Sequence, residues 1–286
     1  IPPSNMLIIY AIVTEQSIGQ MFIAGIVPGI LLAIAYAGLI LFLAYFVPRF
    51  VGGQQSAGIA AEDWASMNWF DFSAKVTPVI ILVLVVLGGI YGGIVTPVEA
   101  GALGALTALI IAIVKRALSL RDFWEILVET GHIAASILFL IISASMYSRM
   151  LGVAGLPTLF GDFLIHMELT LVTLMVIYVI MLILLGTILD TSSIILIIVP
   201  LFLGVLDSYG IDLVWFGIVT VVGAGLLTPP LGISCFVIKS TIDDPSVSLA
   251  DIFIGALPFA VTMLLVLIVL IAYPVLSLGL LNFSFL

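Results

Sequence analysis

The chain has 286 residues, 64% of them hydrophobic and 8% charged, with a mean hydropathy of +1.44 and a formal charge of -9. A soluble domain carries about 25% charged residues, so this composition excludes an ordinary globular domain and describes an all-α, polytopic membrane protein. The acidic balance excludes nucleic acid or an anionic lipid surface as a partner, and the single cysteine, Cys235, excludes an internal disulfide.

A helix that crosses a bilayer needs about 20 apolar residues. Residues 4–14 fall short of that and read as a half-helix after Pro2-Pro3. Residues 18–47 form a long, tilted span that stops at Pro48. Residues 49–75 are the one sizeable polar stretch, and Trp64 and Trp69 suit a membrane interface. Residues 76–95 and 98–116 are apolar and are separated by Thr96-Pro97. Lys115, Arg116 and Arg121 make the densest basic cluster and mark a cytoplasmic loop. Residues 123–148 are another span, and Gly152 to Pro157 break the chain. Residues 168–206 read as a helical hairpin whose polar tip is Gly186-Thr187-Ile188-Leu189-Asp190-Thr191-Ser192-Ser193. Residues 212–227 and 231–240 flank Pro229-Pro230 as two half-helices, and residues 252–274 are the final span.

One motif occurs twice. Pro2-Pro3 is followed by an apolar run and then Gly25-Ile26-Val27-Pro28; Pro229-Pro230 is followed by an apolar run and then Gly255-Ala256-Leu257-Pro258. A double proline offers no N–H and pushes the preceding residue out of helical geometry. The carbonyls of that turn lose their partners, which is costly in hydrocarbon unless a cation or water binds them. Paired breaks in two repeats are the best sequence-level pointer to a secondary transporter's binding site. The repeat reading makes 1–48 the C-terminal part of a first repeat, 49–75 an interfacial linker, and 76–286 a second repeat with the hairpin 168–206 and the broken helix 212–240. Matching halves would place about 140 further residues ahead of residue 1, so the sequence is expected to lack most of its first repeat.

Three groups of residues could carry chemistry. At the second break, the turn from Gly225 to Thr228 precedes the prolines, and its freed carbonyls with the Thr228 hydroxyl supply oxygens to a hard cation such as sodium. At the hairpin tip, Gly186 permits an unwound turn, and Thr187, Asp190, Thr191 and Ser192 crowd polar groups there. Asp190, Thr191 and Ser192 also make good helix caps, and the half-helix start after Ser192 would turn its positive end toward an anion. Pro3, Ser4 and Asn5 are the first-repeat counterpart. The stretch Gly92 to Ala100 reads as a capped helix start with tight packing. His132 and His166 are isolated and form no metal-ligand set, and Arg149 and Lys239 at span edges read as snorkelling side chains. No catalytic motif is present; an intramembrane protease built on Asp190 would need a second acid at the same depth, and none is found. No cofactor is called for beyond a coupling ion, and a passive channel is a remaining alternative.

The strings EQSIGQMFIAGIVPG (15–29), GGIYGGIVTPVEAGALGA (88–105), SLRDFWEILVETG (119–131), GTILDTSSIILIIVPLF (186–202), YGIDLVWFGIV (209–219) and GLLTPPLGISCFV (225–237) resemble the large membrane subunit of TRAP transporters, the DctM-like proteins. The resemblance implies an elevator-type secondary transporter with inverted repeats and re-entrant hairpins, in a bacterial or archaeal inner membrane. It implies sodium-coupled uptake of an organic acid such as a C4-dicarboxylate or sialic acid. It implies two partners: a periplasmic DctP-like binding protein, and a small four-helix DctQ-like membrane subunit, separate or fused. Carried over by motif, Gly186, Gly225, Thr228 and Leu231 (through its backbone carbonyl) match the family's second-repeat sodium site, and Ile1 and Pro3 match part of the first-repeat site. Thr187, Asp190, Thr191 and Ser192, with Ser4 and Asn5 in the first repeat, fall where substrate is expected. A binding-protein-independent, ion-coupled carboxylate carrier is the alternative.

Overall fold

The computed structural model describes residues 2–51, 69–167, 169–225, 239 and 248–283, and every regular element among them is helical. In chain order they are α1 (Asn5–Thr14), α2 (Ile18–Phe46), a 3-10 turn (Pro48–Val51), α3 (Trp69–Tyr91), α4 (Pro97–Val114), α5 (Leu120–Val153), α6 (Leu156–His166), α7 (Leu171–Gly186), α8 (Thr191–Ser208), α9 (Leu213–Ala224), α10 (Leu249–Ala272), α11 (Val275–Leu278) and a second 3-10 turn (Gly279–Phe283). Six are long and apolar enough to cross a membrane: α2, α3 (from Phe72), α4, α5, α8 and α10. α1, α7 and α9 are apolar but shorter.

Some bounds differ from the sequence reading. α3 begins at Trp69, inside the stretch read as linker. α5 runs to Val153, well past residue 148, and reaches about 50 Å at 1.5 Å per residue, more than the ~30 Å of a hydrocarbon core. The break at Gly152–Pro157 is narrower than expected, because a left-handed Gly155 (φ 71°) reverses the chain and Pro157 sits in the first turn of a helix, α6, that the apolar count passed over. A proline in a first turn loses no hydrogen bond.

The chain divides into two units, one of Ile1–Leu39 with Phe139–Phe283, the other of Ile40–Leu138. α2 and α5 contribute residues to both. In the second unit, α3 and α4 form a helical hairpin. Thr96 caps α4 with a capping box, accepting from the Glu99 N–H while Glu99 accepts from the Thr96 N–H at 2.8 Å, and Pro97 opens the first turn. Pro78 inside α3 has no N–H for the Ala74 carbonyl. The Lys115 ammonium donates to that carbonyl at 3.1 Å, closing the hairpin.

The first unit holds the core, and α9 is its centre. Trp215, Phe216, Ile218, Val219 and Thr220 are all buried. Its start is capped by Asp212, which accepts from the Val214 and Trp215 N–H groups at 2.8 and 3.0 Å. Tyr178 of α7 lies against Phe216 and against Phe202 of α8, with ring centroids 4.6 and 4.9 Å away, and its hydroxyl meets Thr220 Oγ1 at 2.8 Å. α6 adds Phe160 against Phe202. The fully buried Tyr10 of α1 donates to the Leu213 carbonyl at 2.7 Å. Gly217 lets this ring lie flat on α9: a Cβ there would collide with the ring of Tyr10 and meet Met21 Cε at 2.6 Å. At the far end, Pro274 offers no N–H to the Leu270 carbonyl of α10, and the Trp215 indole donates to it at 2.9 Å.

Two substitutions test this core. Gly217→Ala should destabilise the protein by about 1–3 kcal/mol through overpacking, seen as a lower midpoint in thermal unfolding of the detergent-solubilised full-length protein. Trp215→Phe keeps the ring but strands the Leu270 carbonyl, at a cost of about 1–3 kcal/mol. Wild-type midpoints would show that Tyr10 and Met21 withdraw freely, and that Leu270 finds another donor.

Candidate functional site around the hairpin tip

α7 and α8 form the hairpin expected at 168–206, and its tip is built by local rules. α7 ends at Gly186 in a tightened turn, with the Ile188 and Leu189 N–H groups both donating to the Leu185 carbonyl at 2.9 and 2.8 Å. Thr187 turns its hydroxyl back to the Leu184 carbonyl at 2.7 Å. The Gly186 carbonyl is then skipped: no hydrogen bond ends on it among the described residues.

Asp190 is the N-cap of α8. Its carboxylate accepts from the Ser192 and Ser193 N–H groups at 2.9 and 3.2 Å, and from the Ser193 hydroxyl. The cap changes one expectation. The first-turn N–H groups that an incoming anion would use are already taken by Asp190, so this helix start is not open to a substrate carboxylate as the sequence suggested.

Two further contacts gather the predicted residues. Thr191 donates its hydroxyl to the Ala224 carbonyl at the end of α9, 3.2 Å away. Ser192 places its hydroxyl 3.5 Å from the sulfur of Met6 in the first turn of α1. The tip thus touches the end of one half-helix and the start of another. Gly225 follows Ala224 as the C-cap of α9, with its N–H donating to the Val221 carbonyl at 3.1 Å. Ser4 caps α1 by backbone alone, its side chain making no capping bond, and Asn5 and Pro3 beside it are exposed. Pro2 is buried against Gly25 of α2, where a Cβ would meet Pro2 Cγ at 3.3 Å and Leu7 Cδ1 at 3.1 Å. This contact joins the first double proline to the Gly-x-x-Pro motif that follows it.

Ile1, Thr228 and Leu231 lie outside the described residues, as does residue 230, after which the second half-helix was expected. Met6 and the Ala224 carbonyl were missed by sequence reasoning. A methionine in an apolar run and a backbone carbonyl carry no compositional signal.

The sequence model of the family described as the DctM component of the tripartite ATP-independent periplasmic transporter matches residues 1–276. The chain is 32% identical over 286 residues to the C4-dicarboxylate TRAP transporter large permease protein DctM of Pseudomonas aeruginosa, covering 99% of this chain and 64% of that protein. It is 30% identical to the sialic acid TRAP transporter large permease protein SiaM of Vibrio cholerae, over 96% of this chain and 62% of the relative. It is also 30% identical to the isethionate TRAP transporter permease protein DctMQ of Oleidesulfovibrio alaskensis, over 96% of this chain and 42% of the relative. The chain therefore spans less than two thirds of the length of these relatives, which are transporter permeases and not enzymes. With a membrane-length helical fold, a capped hairpin tip and a family match over nearly all of its residues, the chain belongs to the DctM family of TRAP transporter large permeases.

Proposed function

We propose that this chain forms the ion- and substrate-handling part of a sodium-coupled importer of small organic acids. The observation that carries the reading is the Gly186 carbonyl, which accepts no hydrogen bond among the described residues, at a hairpin tip that touches the end of α9. A bare carbonyl in an apolar setting is costly unless a cation or water takes its lone pairs. Sodium is held in this reading by the carbonyls of Gly186, Gly225 and Leu231 and by the hydroxyl of Thr228. Ile1 and Pro3 contribute to the matching first-repeat site. Thr187, Asp190, Thr191, Ser192, Ser4 and Asn5 surround the substrate.

The relatives are named for C4-dicarboxylates, sialic acid and isethionate, which share an anionic acid group on a small polar skeleton. The same acid class is proposed here. A soluble periplasmic binding protein delivers it, and a small four-helix membrane subunit completes the complex in the inner membrane; the fused name DctMQ of one relative supports the latter. Residues 1–48 and 76–286 are read as parts of two inverted repeats joined by 49–75. Alternating access follows from movement of the unit that bears the hairpin.

The test is uptake of labelled acids into proteoliposomes holding the full-length large subunit and its small partner, under an inward sodium gradient. Uptake is expected to require both sodium and the soluble binding protein; uptake without that protein would instead indicate an independent carrier. Thr228→Ala is expected to raise the sodium concentration at half-maximal uptake about tenfold, equivalent to about 1.4 kcal/mol, with the unfolding midpoint unchanged. An unaltered sodium dependence would remove Thr228 from the ion site.

A further inference from the structure

The helix start at the tip is occupied by Asp190, so the Ser192 and Ser193 N–H groups are not open to a substrate carboxylate. Of the seven Lys and Arg residues, only Arg149 and Lys239 belong to the unit that carries the hairpin. Arg149 stands on α5 beside the hairpin limb α8. Three cavities follow one another along this limb. The first, about 190 Å³, reaches Ser193 at the tip and is walled by Ala144 and Tyr147 of α5. The second, about 210 Å³, shares Ala144 and Leu196 with the first and is lined by Glu15, Ser145, Ser148 and Arg149. The third, about 370 Å³, shares Glu15 and Ser148 with the second and ends at Asp207.

The middle cavity is not at the outer end of the limb. Its α8 wall is Leu196 and Pro200, and Pro200 is eight residues, or about 12 Å, short of the helix end at Ser208. Arg149 itself stands on α5 four residues, or about 6 Å, before the helix end at Val153, and its side chain lines this cavity. Glu15 lines the same small space, yet no ion pair joins the two. Pro200 also leaves the Leu196 carbonyl on this wall without its usual N–H donor. The cavity thus offers a guanidinium fork and the Ser148 hydroxyl on α5, with acceptors on Glu15 and Leu196 in the same lining, while the Ser145 hydroxyl is already donated to the Ile141 carbonyl at 2.9 Å.

We propose that this cavity is a binding subsite for a small hydroxylated carboxylic acid. Arg149, with Ser148, takes the carboxylate, and Glu15 accepts a hydrogen bond from the ligand hydroxyl. Arg matches carboxylate geometry with two parallel N–H donors. The volume is below the ~300–1,000 Å³ of pockets for drug-sized ligands, so the acid has few carbon atoms. The subsite lies along the hairpin limb, away from the residues assigned to the tip, and it rests on the acid-importer reading.

L-malate and succinate differ by one hydroxyl and serve as probes, in proteoliposomes with the full-length large subunit and its small partner, with the soluble binding protein supplied and an inward sodium gradient. Arg149→Gln should raise the half-saturating concentration of both acids at least about tenfold. Glu15→Gln should raise it for malate and leave succinate unchanged or tighter, since a site built to accept from a hydroxyl discriminates against the analogue without one. Arg149→Lys should recover part of the loss, the charge being kept and the fork removed. Wild-type half-saturation in Arg149→Gln, or equal effects of Glu15→Gln on the two acids, would overturn the subsite. Where a variant transports nothing, the malate-dependent rise in unfolding midpoint decides. Its loss in a variant that otherwise unfolds like wild type supports the subsite, and its persistence overturns it. Wild-type protein that takes up other acids but neither of these refutes the subsite alone, as does wild-type uptake with unaffected variants, whereas no sodium-driven uptake of any labelled acid refutes the importer reading and the subsite together.

Discussion

A carbonyl without a donor is the constraint on which this molecule is organised. In an apolar setting each such group costs free energy unless something satisfies it. The chain creates these groups with prolines and helix ends, and answers three of them from a distance in sequence. The Leu270 carbonyl released by Pro274 goes to Trp215, the Ala74 carbonyl released by Pro78 goes to Lys115, and the Ala224 carbonyl goes to Thr191. Each answer is a long-range contact, so satisfying the backbone and fixing the tertiary fold are the same event. The Gly186 carbonyl, with no such answer among the described residues, stands at the place where an ion is proposed.

The core makes that place rigid. α9 is buried on the faces that meet α1 and α7, and it is held by Tyr10 on one side and Tyr178 on the other. Both hydroxyls are hydrogen-bonded, so the aromatic bodies supply apolar area without leaving a polar group unpaired. Gly217 sets how closely α1 approaches. Because the start of α1 and the end of α9 both meet the hairpin tip, packing in the core fixes which backbone oxygens share that tip.

Charge is arranged by the same economy. The acids at helix starts, Glu99, Asp122, Asp190, Asp212 and Asp251, are engaged by backbone N–H groups of or next to their own first turn. These are local commitments, made within about one turn of each helix start. Glu15 and Arg149 differ. They line one polar cavity along α8 without pairing to each other, and they are the basis of the proposed acid subsite.

Much of this was legible in the sequence. The apolar runs set the number and rough extent of the spans, because hydrocarbon thickness fixes the length a helix needs. Gly186 and Asp190 marked the hairpin tip, and Thr96-Pro97 with Glu99 marked a capped helix start, because caps are chemistry within one turn. Other features were decided only in three dimensions. The start of α3 inside a polar stretch, and α6 after Gly155, depended on turn geometry and packing that apolar counts do not register. The Asp190 carboxylate closing the α8 start, Met6 beside Ser192, and Arg149 lining one cavity with Glu15 could not be read from spacing. Each depends on which residue of a distant helix arrives at a given height, and that is set by the interlocking of side chains in the core, with Tyr10 on Gly217 as its clearest instance.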